Sequence, residues 1–236
     1  GILGFYPEIL LHQRSFLSFI RFFPGCCRSH NELPIFTKIP IPFGTSKPEI
    51  TELLILMNRK IPNEELRRLD EEAFKKAKKL PVVVVLDNVR SAQNVGSIFR
   101  TSDAFRVEKV YLCGITAKPP SREINKTALG ATRSVEWEYM NSTVACIEKL
   151  RQEGVLCAAV EQAEHSEKLG SYQPEEGKTY ALIFGNEVEG VDQEVVDLCD
   201  LALEVPQFGT KHSLNISVCA GMVLWEWARN FITSFK

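Results

Sequence analysis

The chain has 236 residues, 44% hydrophobic and 25% charged, with a formal net charge of −2. That is a globular composition, long enough for one medium domain with an appendage, or two small domains, and for a core that needs no disulfide or metal. It excludes a protein that coats nucleic acid by bulk charge while leaving room for a local basic patch, and no run is long and apolar enough for a membrane-spanning helix.

The first stretch, GILGFYPEILLHQRSFLSFIRFFPGCC, is aromatic and mildly basic. Pro7, Arg14 and Arg21 interrupt its apolar runs and no small-residue cleavage site follows, so it reads as an extension rather than a targeting segment. The proline-dotted LPIFTKIPIPFGTSKP after it reads as linker. Residues 1–56 are thus expected to be a poorly ordered or artefactual extension, and residues 57–236 a domain that opens with a short helix. The seven cysteines are scattered, form no CxxC pair and lie mostly in apolar runs, which fits a reducing cytoplasm and argues against a metal site.

Order is expected from about residue 62. Pro62-Asn63-Glu64-Glu65 offers an N-cap and first-turn acids, and Lys75, Lys76, Lys78 and Lys79 crowd the far end. Leu66, Leu69, Ala73, Ala77 and Leu80 recur at steps of three and four, so the pattern predicts one helix with Arg67 and Arg68 on its exposed face. Next, PVVVVLDNVR reads as a strand buried on both faces. Short apolar runs recur at 109–114, 155–160, 180–185 and 201–206, and helical patterns fill about 94–105, 141–153, 191–199 and 213–233. This alternation predicts one α/β domain built on a mostly parallel sheet with helices on both faces. Function in such sheets collects at the carboxyl ends of the strands, where three loops are chemically unusual.

In the first loop, Gly96 and Arg100 share a helix face four residues apart, and the bare glycine is expected to clear a space in front of the guanidinium. The second, ALIFGNEVEGVDQEV, places Gly185, Asn186, Glu187 and Gly190 after a strand, ahead of a helix capped by Asp192; its glycines permit close approach of a ligand. The third, VPQFGTKHSLNIS, runs into an apolar helix, with Ser213 as the expected cap, Asn215 in the first turn and His212 as a solvent-facing loop histidine. Neither GxGxxG nor GxxxxGK[ST] occurs, which argues against a dinucleotide or nucleoside-triphosphate cradle.

Together the three loops resemble the SpoU family of RNA ribose methyltransferases in the SPOUT superfamily. N-x-G-x-x-x-R stands as Asn94 to Arg100, F-G-N-E-x-x-G as Phe184 to Gly190, and the third motif as Val205-Pro206 to Gly209 with Ser213-Leu214-Asn215-Ile-Ser217. The likeness covers roughly residues 58–232, and Met57 reads as the start of a minimal member. It implies a C-terminal deep trefoil knot, a homodimer formed through the knot region, and S-adenosylmethionine held in bent form beside Phe184, Gly185, Asn186, Val205, Pro206, Gly209 and Leu214. It further implies methyl transfer to a ribose 2′-oxygen in tRNA or rRNA, with Arg100, Asn94, Glu187, Ser213 and Asn215 at the reacting centre. Local basic clustering adds an expected RNA path of Arg67, Arg68, Arg122, Lys126, Arg133 and Lys211. The alternative reading is a knotted RNA-binding protein without catalysis.

Overall fold

The run of four valines forms the middle of the sheet. In the computed structural model, which describes residues 60–231, strand β1 spans Leu80–Asp87 and is buried along its length except at Pro81. Val82, Val84 and Leu86 enter one core, while Val83 and Val85 enter a second on the opposite face. Two-sided burial explains why β1 lacks the polar alternation of a half-exposed strand.

Six further strands lie parallel to it: β2 (Val107–Cys113), β3 (Glu136–Met140), β4 (Leu156–Val160), β5 (Glu167–Lys168), β6 (Tyr180–Phe184) and β7 (Leu201–Glu204). Their spatial order is β3-β2-β1-β6-β4-β7-β5. After β3 the chain crosses to the other half of the sheet, and β6 later inserts between β1 and β4. The helices are α1 (Glu71–Lys76), α2 (Ala92–Ala104), α3 (Arg122–Ala128), α4 (Ala131–Ser134), α5 (Thr143–Gln152), α6 (Gln193–Leu198) and α7 (Ile216–Arg229). Buried side chains of α2, α3 and α7 belong to the first core, and those of α5 and α6 to the second. The α/β class with a parallel sheet covered on both faces is therefore as expected.

The expected helix from residue 62 is replaced by two shorter pieces. A 3-10 turn at Asn63–Leu66 ends at Arg67 in the left-handed region (φ 47°), and α1 starts afresh at Glu71 with the Asp70 carboxylate accepting from Ala73 N at 2.7 Å. Asp70 is a strong cap, and α1 has its own acidic first turn (Glu71, Glu72) and basic last turn (Lys75, Lys76). Of the anticipated stripe, Leu66 and Leu69 are exposed, Ala73 and Ala77 are half-buried and Leu80 is buried as part of β1, while Phe74 is the residue of α1 that is buried. The chain divides at residue 67, and the described residues from Arg68 onward form one compact unit. Expectations for residues 1–56 and for Met57 lie outside the described residues.

Sequence patterns did not disclose α3, α4, β3 or β5. Strand β3 (EWEYM) pairs with β2 alone and has Glu138 held by Lys109 at 2.7 Å and by Lys149 at 3.1 Å. Alternating acids at an edge conceal a strand from any search for apolar runs. Among the described residues no helix is long and apolar enough to cross a membrane.

Candidate active site

Each of the three loops begins at the carboxyl end of a strand, and side chains from all three bond to one another. Ser91 Oγ caps α2 by accepting from Asn94 N, which places Asn94 in the first turn. From there Asn94 Nδ2 donates to Glu187 Oε1 at 2.7 Å, and Asn94 Oδ1 accepts from Asn215 Nδ2 at 3.2 Å. One amide thus joins residues far apart in the sequence.

The Glu187 end is shaped by a closed turn. Asn186 N donates to Gly190 O at 3.0 Å and Gly190 N to Asn186 O at 3.1 Å, while Asn186 Oδ1 accepts from Val188 N and Glu189 N. A side chain on Gly185 would collide with the backbone of Gly190 and Val191. The glycine that was expected to admit a ligand therefore serves the close approach of the loop to itself. The Asn215 end differs in a second way. Asn215, not Ser213, caps α7, its Oδ1 accepting from Ser217 N at 2.9 Å and Val218 N at 3.3 Å. Asn215 lies one residue before the helix, where its short amide reaches the first free N–H groups, and Ser213 lies too early to do so.

A cavity of about 280 Å³ opens at the carboxyl ends of β4, β6 and β7. Phe184, Val205, Leu214, Ile216 and Cys219 give it apolar wall, and Glu161, Glu187 and Glu189 give it carboxylates; among the described residues no lysine or arginine lines it. Burial, followed by the charge of Glu161, pushes the Cys219 thiol up to about 11. Of the sequence-derived residues, Phe184, Gly185, Asn186, Glu187, Val205, Ser213 and Leu214 line the cavity. Asn94, bonded to Glu187, and Asn215, bonded to Asn94, lie outside the lining, as do Pro206 and Gly209 on the third loop. Val160, Glu161, Gln162 and Gln207 also line it, and no sequence motif had marked them.

Arg100 stands apart from this cavity. It is exposed on α2 and makes no hydrogen bond or ion pair among the described residues, with Asn94 or otherwise. The expected space at Gly96 is filled: a side chain there would meet Thr127 Oγ1 and the Ile124 carbonyl of α3. Gly96 is bare because two helices touch there. The basic residues fall into two sets. Lys126 pairs with Glu123 at 3.6 Å and Arg133 with Glu71 at 2.8 Å, whereas Arg67, Arg68, Arg122 and Lys211 are exposed.

Comparison with known proteins extends this geometry. Residues 81–225 match the profile of the SpoU rRNA Methylase family. A curated "23S rRNA (guanosine-2'-O-)-methyltransferase RlmB" of Neisseria meningitidis is 27% identical over 159 residues, covering 67% of this chain and 62% of that protein. The "tRNA (guanosine(18)-2'-O)-methyltransferase" of Aquifex aeolicus is 31% identical over 184 residues, covering 76% and 80%. The chain thus spans about three fifths of the length of the first relative and four fifths of the second. Among solved structures, an AdoMet-bound rRNA methyltransferase from Sinorhizobium meliloti aligns with a TM-score of 0.60 at 28% identity, covering 65% of this chain and 61% of that one. The A. aeolicus TrmH/SpoU tRNA-modifying enzyme aligns with a TM-score of 0.61 at 26% identity, covering 70% and 81%.

Proposed function

The chain belongs to the SpoU rRNA Methylase family, and from that premise we propose that it transfers a methyl group from S-adenosylmethionine to a ribose 2′-oxygen in tRNA or rRNA. The observation that carries this reading is the hydrogen-bonded set Asn94–Glu187–Asn215, which joins the three motif loops beside one cavity. Relatives named as guanosine 2′-O-methyltransferases of tRNA and of 23S rRNA support the reaction and the substrate class.

The cavity fits the methyl donor in chemistry. Apolar wall at Phe184, Val205, Leu214 and Ile216 suits an adenine ring, and carboxylates with no lysine or arginine among the described lining residues suit a cation. When bound, the donor supplies a methyl group on an electrophilic sulfonium. Phe184, Gly185, Asn186, Val205, Pro206, Gly209 and Leu214 hold the donor in this proposal, largely by backbone and apolar contact. Asn94, Glu187, Ser213 and Asn215 order the loop tips where the ribose enters, which lowers the entropic cost of bringing two reactants together. Arg100, exposed, outside the cavity lining and without an internal partner among the described residues, grips the phosphate next to the reacting ribose in this proposal. An arginine suits that role better than that of a base, since a guanidinium has five N–H donors and no acceptor site for a proton.

Arg67, Arg68, Arg122, Lys126, Arg133 and Lys211 form the RNA path in this proposal. The ion pairs of Lys126 and Arg133 are side-chain exposed by 63% and 69%, so they exchange readily for phosphate contacts. The same reading includes the trefoil knot, a domain running from residue 57 to 236, and a homodimer through the knot region. Exposed Val218, Met222 and Trp225 on α7 support the dimer as an apolar face. Free thiols at all five cysteines among the described residues support a cytoplasmic site of action.

The test is where the methyl group lands. RNA incubated with the protein and labelled S-adenosylmethionine is digested to nucleosides. Label in a 2′-O-methyl nucleoside is the expected result, and label on a base overturns the ribose assignment.

A further inference from the structure

The two residues that follow β4 brace both walls of the cavity. Glu161 N donates to Leu203 O at 3.0 Å, and the Glu161 carboxylate accepts from Val191 N at 3.0 Å and from Gln162 N at 2.9 Å. Its carboxylate fills the place that a side chain on Gly190 would take. Gln162 Nε2 donates to His212 O at 2.8 Å, so the same short segment also ties down the third loop. The Glu161 charge cannot swing out to solvent without releasing its bonds from Val191 N and Gln162 N.

Three carboxylates line the cavity, and their settings differ. Glu187 and Glu189 are exposed, and Glu187 is already engaged by Asn94. Glu161 is half-buried, so water and salt screen it less. We propose that Glu161 is a specificity-determining residue of this cavity: its fixed carboxylate makes the site favour a cationic methyl donor over the neutral thioether left after transfer. The inference rests on the methyltransferase reading above. S-adenosylmethionine and S-adenosylhomocysteine share their adenosine and amino-acid ends, and differ by one methyl group and one positive charge at sulfur. A fixed negative wall therefore acts on the difference between them, and product leaves more easily than donor.

Calorimetric titration with each ligand tests this in the wild type, E161Q and E161D at one ionic strength. E161Q is expected to weaken S-adenosylmethionine binding about tenfold while changing S-adenosylhomocysteine about twofold or less, as removal of a poorly screened charge requires. E161D keeps the charge and is expected to keep the ratio of the two affinities, even where both fall. A purely structural role gives a different result. Val191 N and Gln162 N bond different oxygens of the Glu161 carboxylate, and in a glutamine one of those oxygens becomes an NH2 donor facing an N–H, so loosened loops weaken both ligands by one factor. Equal losses in E161Q, no loss, or a lost ratio in E161D overturns the proposal. A wild-type protein that binds neither ligand overturns the methyltransferase reading itself.

Discussion

Asn94 shows how far single residues were legible. Its place in an N-x-G-x-x-x-R spacing marked it, as did the residue types at Glu187 and Asn215, and the structure joins the three by hydrogen bonds. Glu161 and Gln162 carry no such mark, because their partners are backbone groups of Val191 and His212, which the sequence does not place near them. Gly96 was legible as a functional position for the wrong reason. Its missing side chain accommodates Thr127 and the Ile124 carbonyl rather than the Arg100 guanidinium. G96A is therefore expected to act on stability: overpacking of the α2–α3 contact lowers the unfolding free energy by about 1–3 kcal/mol, read as a lower Tm. An unchanged Tm alongside lost activity would restore the original reading.

At the scale of elements, period and apolar content revealed β1, β2, β4, β6 and β7, since each is a short apolar run. The N-terminal helix failed because Asp70 caps a new start more strongly than the exposed leucines hold one continuous helix. Strand β3 escaped because Glu136 and Glu138 interrupt it, yet Glu138 stabilises the strand. Hydrogen bonds from Lys109 and then Lys149 hold its carboxyl below the usual carboxylate range. A carboxyl lowered in the folded state contributes stability that is present above its unfolded pKa and lost as pH falls through the folded value. With the Glu138 side chain 37% exposed, solvent screening limits the contribution to about 1 kcal/mol or less. E138Q is expected to unfold at lower denaturant than wild type at pH 7, with the gap closing as the pH drops below about 4. A gap that persists in acid would assign the effect to packing instead.

Over the whole molecule, the class of fold was readable while the strand order was not. Alternating strands and helices imply a parallel sheet, but the insertion of β6 between β1 and β4 depends on contacts between segments remote in sequence. That insertion sets the ends of β4, β6 and β7 around one cavity. The proposed dimer belongs to this scale too. Placing a charge in the exposed face of α7, as in M222E, is expected to give a monomer by sedimentation with its melting transition retained, since Met222 is 44% exposed in the single chain. A dimer that survives M222E would move the interface elsewhere. The central claim is methyl transfer that depends on Arg100, and its most direct test is incorporation of tritiated methyl from S-adenosylmethionine into tRNA and rRNA by wild type and R100A. Wild type is expected to label one RNA class, and R100A to lose about 10²-fold or more of the rate with donor affinity unchanged. Label at the wild-type rate in R100A, or none in wild type despite donor binding, would contradict the account.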